Sequence, residues 1–288
     1  MPVPDHKPAV SVVVPCYNGA RFIDQLMATL AGQTFRDFET IIVDDGSGEE
    51  TRSKLDSLRP GVEVIHQQNQ GPGAARNTGI RAARADLVLA LDCDDQLDPT
   101  YLEEAVAAMN AAPADVGLLF THERMSGLRQ GIEPRYFKLF DQLFINRVPS
   151  CLMMRKEAWQ KAGGYDDRMR EGYEDWEFTI AVAAAGYRSL VIPKPLFTYR
   201  VSNDGLLLRI SSKMHAQLWG RIRRKHRDLF RLPNLLRLWW TSRHQPGDLT
   251  LLRAINLLLF ANLLPEQWFN ALIHRVRAIK MARSQPSS

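Results

Sequence analysis

The sequence has few cysteines and no long apolar run, and each absence excludes a class of protein. Its three cysteines are Cys16, Cys93 and Cys151. They are too few and too scattered for a disulfide framework or a cysteine-based zinc site, which predicts a reducing compartment. The N-terminal segment MPVPDHKPAV has no basic stretch followed by an apolar one, so we expect no secretory signal. The apolar stretch 249–264 has 16 residues, short of the roughly 20 that a spanning helix needs.

Charge is unevenly distributed along the 288 residues, although the net charge is only +5. Residues 1–200 carry 22 Lys and Arg against 28 Asp and Glu, whereas residues 201–288 carry 15 against 4. A length of 288 residues suits one large α/β domain with an appendage, or two small domains. We expect a first domain over residues 1–205 and a basic, mostly helical C-terminal extension over residues 206–288.

Short apolar runs alternate with segments of helical periodicity in the first half of the chain. We predict buried strands at VSVVVP (10–15), TIIV (40–43), VEVI (62–65) and LVLAL (87–91). Strands and helices that alternate at this spacing predict an α/β domain with an at least partly parallel sheet. Further on we predict a helix from Pro99, a strand at 116–120, and helices at 155–162 and 175–185. Residues 121–148 show no clean period and are predicted to form loops and short elements.

Polar residues follow three of the predicted strands at the point where each strand ends. These endings are Pro15-Cys16-Tyr17-Asn18, Asp44-Asp45-Gly46-Ser47 and Asp92-Cys93-Asp94-Asp95. Ligands of open α/β sheets bind at the carboxyl ends of the strands. We therefore expect all three endings to lie on one rim of the sheet.

The acidic ending ALDCDDQLD (90–98) concentrates four carboxylates that repel one another unless a cation or donors lie among them. Mg²⁺ and Mn²⁺ take one or two protein carboxylates together with substrate phosphates and waters. The Asp92-X-Asp94 pair therefore predicts a divalent cation shared with a diphosphate, which stabilises the diphosphate as a leaving group. Helix capping is the alternative, and it accounts for Asp98 before Pro99 but not for the other three.

Six segments in this order resemble family 2 glycosyltransferases of the GT-A fold, and the resemblance covers about residues 9–200. They are VSVVVPCYN (10–18), QTFRDFETIIVDDGS (33–47), NQGPGAARNTGI (69–80), LDCDD (91–95), GGYDD (163–167) and GYEDWEF (172–178). The resemblance implies a nucleotide-diphosphate-sugar-binding domain with a mixed, mainly parallel central sheet. It also implies inverting transfer from such a donor, usually with Mg²⁺ or Mn²⁺.

The resemblance assigns roles to individual residues. Pro15 matches the backbone contact beside the nucleobase, Asp45 the acid that reads the base edge, and Arg76 the basic residue near base and diphosphate. Asp92 is expected by the ribose and Asp94 on the metal, while Asp175 matches the general base. Tyr17 is grouped with the donor contacts. Neighbouring residues expected to support the site are Asn18, Asp44, Asp95, Glu174 and Trp176.

The chemistry of inversion supports the assignment of Asp175 independently. A carboxylate opposite the leaving group takes the acceptor proton, which typically contributes about 10²- to 10⁴-fold, and Glu174 as a like-charged neighbour can raise its pKa. Four alternatives stay open. Asp44 and Asp45 before Gly46 could be simple turn residues. Asp175 could be a first-turn acid favoured by the helix dipole. Arg76 could pair with Asp86 or a surface acid, and Cys93 could be a packed side chain rather than a ligand.

One position departs from the family pattern. Many members carry a His shortly after a Tyr-Arg pair, where it can complete the metal site. Here Tyr199-Arg200 is followed by Val-Ser-Asn-Asp. Water, Asp204 or no third ligand remain the options.

The basic extension allows several interpretations. It combines clustered arginines, Trp239-Trp240 and the apolar stretch 249–264, which fits an interfacial helix that approaches a lipid-linked acceptor at the inner face of the cytoplasmic membrane. A packed subdomain or a dimer interface fits equally well. Nucleic-acid binding is not expected, because the aromatic residues are not interleaved with the arginines.

The leading hypothesis is a cytoplasmic enzyme that transfers a sugar, with UDP-sugar as the favoured donor, to a hydroxyl of a glycan or glycolipid in surface polysaccharide or lipopolysaccharide synthesis. One alternative is a catalytically silent nucleotide-sugar-binding or membrane-adaptor protein. The other is a sugar nucleotidylyltransferase, whose Gly-rich loop with a following Lys is missing from PCYNGAR (15–21). Oligomerisation is left open.

Overall fold

The fold was analysed in a computed structural model that describes residues 6–202, 213–247 and 249–283. Contacts divide the chain into two units. Unit 1 contains residues 1–137, 146–170 and 174–202, and unit 2 contains residues 138–145, 171–173 and 203–288. The predicted domain boundary after residue 205 lies outside the described residues and stays a prediction.

Unit 1 is built on a nine-stranded mixed sheet in the order β3-β2-β1-β4-β8-β6-β9-β5, with β7 paired to β6. Parallel pairing joins β1 to β2 and β4, β2 to β3, and β6 to β9, while β8 pairs antiparallel with both β4 and β6. The strands are β1 Val10–Cys16, β2 Phe38–Asp44, β3 Glu63–His66, β4 Leu87–Ala90, β5 Gln96–Leu97, β6 Val116–Gly127, β7 Gly131–Glu133, β8 Leu152–Arg155 and β9 Arg188–Val201. The predicted α/β class is confirmed.

The parallel register brings the predicted rim together. Cys16 pairs with Asp44 and Asp44 pairs with His66 at the last residues of β1, β2 and β3, while β4 runs parallel to β1 and ends at Ala90. Because parallel strands end at the same edge, the polar endings after β1, β2 and β4 lie side by side as predicted.

Helices cover both faces of this sheet, which explains why its central strands are continuous apolar runs. Ile23, Leu55 and Tyr101 pack on one face with Val12 and Val14. On the other face Val13, Ile41 and Val43 pack with residues of the helices that include Ala75, Ala158 and Phe178. The helices of unit 1 are α1 Ala20–Ala31, α2 Glu49–Asp56, α3 Pro72–Ala82, α4 Tyr101–Ala111, α6 Lys156–Ala162 and α7 Glu174–Ala184.

Two local predictions were wrong. Strand β6 does not end at residue 120 but continues to Gly127, because residues beyond Thr121 pair with β9. Helix α4 begins at Tyr101 with Thr100 as its N-cap residue, and Asp98 instead accepts a 3.3 Å hydrogen bond from the Thr100 amide. The short elements expected over residues 121–148 do occur, as β7 and as the helix α5 at Leu139–Gln142.

Unit 2 is helical in its described residues. It contains α5 Leu139–Gln142, α8 His215–Lys225, α9 Leu232–Thr241, α10 Leu251–Leu263 and α11 Glu266–Arg283. Trp219 is buried and stacks on His215 and Phe269, and its indole donates to the Leu143 carbonyl at 2.8 Å. An aromatic core therefore holds this unit together. Among the described residues no helix is both long and apolar enough to cross a bilayer.

Candidate active site

The two aspartates at the end of β2 are buried and engaged by hydrogen bonds within the fold. Asp45 accepts hydrogen bonds from the Gln67 side chain at 2.7 Å and from the Gln70 and Gly71 amides at 2.9 and 2.8 Å. Asp44 accepts from the Ser47 amide at 2.9 Å and contacts the His66 ring at 2.8 Å. Burial alone would raise the pKa of Asp44, but the bonds from Ser47 and His66 leave it below its usual value.

Glycines allow the backbone to close around these carboxylates. Gly46 has φ +79, and a Cβ there would come within 2.8 Å of the Asn69 amide nitrogen. Gly71 has φ +91 and precedes α3, whose first residue is Pro72. Both positions require the left-handed region, which L-residues with side chains rarely adopt. Asn18, with φ 51, accepts from the Gly48 amide at 2.9 Å, so it ties the end of β1 to the turn after β2.

Arg76 on α3 joins two carboxylates from distant parts of the chain. Its guanidinium donates to Asp92 Oδ1 at 2.5 Å and to Glu174 Oε1 at 2.7 Å. Burial would lower the pKa of Arg76, but Asp92 and Glu174 together raise it well above its usual value. The predicted alternative partner Asp86 pairs with Lys7 instead, at 2.7 Å.

The carboxylates after β4 have fewer hydrogen-bond donors in the described part of the chain than those after β2, and they lie close to one another. Burial and the neighbouring Asp92 raise the pKa of Asp94 to about 6. Asp95 is buried, and burial together with Asp94 and Asp92 raises its pKa well above the usual range. Asp95 Oδ1 accepts from the Arg200 amide at 2.9 Å, whereas Oδ2 has no hydrogen-bond partner among the described residues. Negative charge is therefore crowded at this strand end.

Asp175 lies in the first turn of α7 with restricted hydrogen bonding. One carboxylate oxygen accepts from the Trp176 amide at 2.7 Å and the other from the Asn146 side chain at 3.3 Å. Burial and the adjacent Glu174 raise the pKa of Asp175 to about 7, while Arg76 opposes the shift. A carboxylate with this pKa can accept a proton near neutral pH.

Tyr199 shows which of the predicted residues converge. Burial raises the pKa of its phenol, and the charges of Asp95, Asp92, Asp175 and Asp94 raise it further. The acidic cluster after β4 and Asp175 are therefore close enough to Tyr199 to shift its pKa, and Arg76 joins Asp92 to Glu174, the neighbour of Asp175. Asp45 is joined to this group through Gly71, which precedes the helix that carries Arg76.

The remaining predicted residues lie around this centre. Pro15 is half-buried in β1, Tyr17 is exposed just beyond that strand, and Trp176 is buried in α7. A Cβ on Gly19 would come within 2.9 Å of the sulfurs of both Cys16 and Cys93, so the two side chains pack against the same glycine. This contact supports the packed alternative for Cys93.

A divalent cation fits the acidic cluster as a site with few protein ligands. The described residues contain no group of three or more His, Cys, Asp or Glu side chains arranged to hold a metal. One or two carboxylates suffice for Mg²⁺ or Mn²⁺ when phosphates supply further oxygens. A cation beside Asp92 and Asp94 would offset the repulsion that raises the pKa of Asp94, and the Oδ2 atom of Asp95 has no hydrogen-bond partner among the described residues. Asp204, the predicted third-ligand option, lies outside the described residues.

Sequence reasoning missed several residues that shape this site. Asn146 belongs to a segment without a clear motif, and Tyr165 belongs to GGYDD, where the resemblance assigned it no role. Asn146 contacts Asp175, and the centre of the Tyr165 ring lies 5.4 Å from the Arg76 guanidinium. Arg200, which stands before the missing His, partly opposes the rise in the pKa of Asp94. Its place in the Tyr199-Arg200 pair was the signal that the sequence offered.

A family model described as "Glycosyl transferase family 2" matches residues 11–190. The glycosyltransferase EpsH of Bacillus subtilis is 42% identical over 103 residues, which cover 34% of this chain and 29% of that protein. The matched segments span 29% to 63% of the lengths of the first three curated relatives.

Solved structures support the same fold. TarS 1-349 of Staphylococcus aureus in complex with UDP-GlcNAc aligns with a TM-score of 0.66 at 19% identity, covering 93% of this chain and 91% of that one. The mannosyltransferase PcManGT of Pyrobaculum calidifontis, in complex with GDP-Man and Mn²⁺, aligns with a TM-score of 0.57 at 19% identity and covers 99% and 90%. At these identities the likeness concerns the fold alone.

Proposed function

Since the chain belongs to glycosyl transferase family 2 and has the GT-A fold, we propose that it transfers a sugar with inversion from a nucleotide-diphosphate donor to a hydroxyl of a glycan or glycolipid. One observation carries the proposal. The Arg76 guanidinium donates both to Asp92 after β4 and to Glu174 beside Asp175, which supports a base and a diphosphate-binding cluster in one site.

Asp175 is proposed to remove the proton from the acceptor hydroxyl as the new bond forms. Its pKa of about 7 leaves a substantial fraction ionised at neutral pH, and a base works best when its pKa is close to the working pH. Asn146 donates to Asp175 Oδ2, which holds the carboxylate in one orientation. Inversion in a single displacement needs no second carboxylate as nucleophile.

We assign Asp94, with Asp92 beside it, to hold Mg²⁺ or Mn²⁺. Such a cation offsets the charge of the departing nucleoside diphosphate when it is bound. The Mn²⁺ complex of the mannosyltransferase supports divalent-metal use in this fold. Arg76 keeps Asp92 in place through a 2.5 Å hydrogen bond, so its contribution to donor binding includes positioning this carboxylate.

The nucleobase is assigned to the side of the rim formed by Pro15, Tyr17 and Asp45, with Asn18 and Asp44 supporting the turn. A UDP-sugar is the favoured donor, since the structural relative TarS was solved with UDP-GlcNAc. We place the reaction in the synthesis of cell-surface polysaccharide in the cytoplasm, with a peripheral contact to the inner face of the membrane through the basic unit 2. A catalytically silent nucleotide-sugar-binding protein would bind the same donor but would not transfer the sugar, so turnover distinguishes the two hypotheses.

The experiment compares Asp175→Asn with the wild type. A thermal-shift panel of UDP-, GDP- and dTDP-sugars with Mn²⁺ first selects the donor. Asp175→Asn should bind that donor with unchanged affinity by calorimetry, yet its release of nucleoside diphosphate should fall about 10²- to 10⁴-fold. Asp86→Asn removes the same charge at an exposed position and should leave turnover intact.

Two outcomes would contradict the proposal. Equal turnover in Asp175→Asn and wild type would remove the assignment of the base. Donor binding without turnover in the wild type, with every acceptor class supplied, would favour the silent nucleotide-sugar-binding protein.

A further inference from the structure

A cavity of about 620 Å³ lies within unit 2, between α8 and the helices α10 and α11. Its rim carries Arg223, Arg224 and Arg227, and its walls include the aromatic rings of Phe230 and Phe269. This volume is in the range of small-molecule sites. A cavity with a cationic rim and aromatic walls is suited to a ligand that has an anionic group and an apolar part.

The three arginines form a group of crowded positive charges. Arg223 is fixed by a 2.8 Å hydrogen bond to Asn262 and lies 5.0 Å above the Trp219 ring. Burial and the charge of Arg224 lower the pKa of Arg223. Within the described part of the chain, neither Arg224 nor Arg227 forms an ion pair, and both are exposed.

Negative charge from the protein itself is scarce around this cavity. Glu266 is the one acidic residue in its lining, and its carboxylate accepts a 3.1 Å hydrogen bond from Gln217. An anionic ligand would offset the crowding of the guanidinium groups. Arginine binds phosphate oxygens through two parallel N–H donors, which makes a phosphate the fitting anion.

An exposed apolar stripe leads to the cavity along α10. Leu252, Leu259 and Leu263 are 69%, 50% and 75% exposed, and their spacing of seven and four residues places them on one face of the helix. The next residue, Leu264, lines the cavity. Trp268 in the first turn of α11 is also exposed. A row of exposed leucines and a tryptophan beside arginines is typical of helices that lie in a membrane interface.

We propose that the cavity rimmed by Arg223, Arg224 and Arg227 binds the phosphate of an anionic lipid head group, while the leucine stripe of α10 enters the adjoining acyl region. The inference deepens the peripheral membrane contact of the proposed function and rests on it. The stripe favours a lipid over a soluble phosphate compound, because a soluble ligand would leave these leucines in water.

The test measures partitioning of the full chain onto vesicles of phosphatidylcholine with and without phosphatidylglycerol. The double variant Arg224→Gln/Arg227→Gln should lose on the order of thirtyfold in partitioning onto the anionic vesicles. The matched control Arg231→Gln/Arg237→Gln removes two exposed arginines of the same unit outside the cavity, and it should lose clearly less. Equal losses in the two double variants would mean diffuse attraction and would overturn the cavity site.

Two further measurements identify the source of the phosphate. Leu259→Ser/Leu263→Ser should weaken binding to the anionic vesicles while all arginines remain; unchanged binding would contradict the lipid assignment. The lipid assignment would also be overturned if soluble glycerol phosphate stabilised the wild type against heat but the wild type bound no vesicles. In that case the stabilisation should be lost in Arg224→Gln/Arg227→Gln. Calorimetric binding of UDP with Mn²⁺ reports on unit 1 separately. Failure of the lipid site with intact UDP binding therefore leaves the proposed transfer reaction standing.

Discussion

Pairs of aspartates lie at or just beyond the ends of both β2 and β4, but only the pair at β2 has hydrogen-bond donors among the described residues for most of its carboxylate oxygens. Asp44 and Asp45 accept hydrogen bonds from turns, a histidine and the start of α3. Asp94 and Asp95 are close to like charges, and the pKa of each is raised. The hydrogen bonds of the first pair stabilise the end of β2 and the turn after it, whereas the crowded charge of the second cluster supports the proposed cation site. The residue type is the same in both places, so the two pairs are distinguished only by their hydrogen bonds and by the charges around them.

The largest effect on stability is expected when the Arg76 guanidinium between Asp92 and Glu174 is removed. Arg76→Met leaves Asp92 and Glu174 without their buried partner, so the free energy of unfolding should fall by about 3 to 5 kcal/mol. Chemical denaturation measures this change. Arg81→Met on the exposed side of the same helix should stay within about 0.5 kcal/mol of wild type. Equal costs for the two variants would show that the ion pairs do not hold the cluster.

The next test exchanges one aspartate from each strand end for asparagine. Asp45→Asn weakens three hydrogen bonds to a buried carboxylate and should lower stability by about 1.5 to 3 kcal/mol. Asp94→Asn removes a charge that Asp92 repels, so stability should be unchanged or higher while Mn²⁺-dependent UDP binding weakens. Denaturation and calorimetry with and without Mn²⁺ measure the two effects. A destabilisation of Asp94→Asn as large as that of Asp45→Asn would erase the distinction.

The pH dependence of turnover sharpens the role of Asp175. Because the base must be ionised, kcat/KM should fall about tenfold per pH unit below the pKa of about 7. Above that pH this group should cause no further change. Nucleoside diphosphate release across the pH range gives the profile, and the residual activity of Asp175→Asn should lack this limb. A wild-type profile that stays flat through pH 7 would contradict the assignment.

The smallest effect on stability is expected from the pair that His66 forms with Asp44 at the end of β2. The hydrogen bond to Asp44 raises the pKa of His66, so the protonated ring stabilises the fold below its unfolded pKa, and this contribution is lost as pH rises through the folded pKa. The pKa of Asp44 is lowered, so its share is lost only as pH falls through that lowered value. His66→Gln should cost about 0.5 to 1 kcal/mol near pH 6 and less at pH 8. Equal costs at both pH values would rule out the charged pair.

The sequence was sufficient to predict the parallel half of the sheet, because strands buried on both faces are continuous apolar runs. It failed over β6, where Glu123 and Arg124 interrupt the apolar pattern. Glu123 is buried there and forms an ion pair with Arg135, and the strand is completed by β9 some seventy residues later. Neither partner can be inferred from a local window.

For the site, residue types indicated the acidic rim and the family motifs indicated Asp175. The hydrogen bonds that distinguish Asp45 from Asp94 depend on tertiary contacts, as does the orientation of Asp175 by Asn146. The double pairing of Arg76 could not be predicted either, since Asp92 is 16 and Glu174 is 98 positions away along the chain.

The pairing of Arg76 with Glu174 also depends on how the chain folds. The two residues are 98 positions apart, and closing so long a loop costs entropy that only the surrounding packed structure offsets. The hydrogen bond of Glu174, the neighbour of the proposed base Asp175, to Arg76 therefore depends on the folded domain around both residues. A partly denatured chain would lack it.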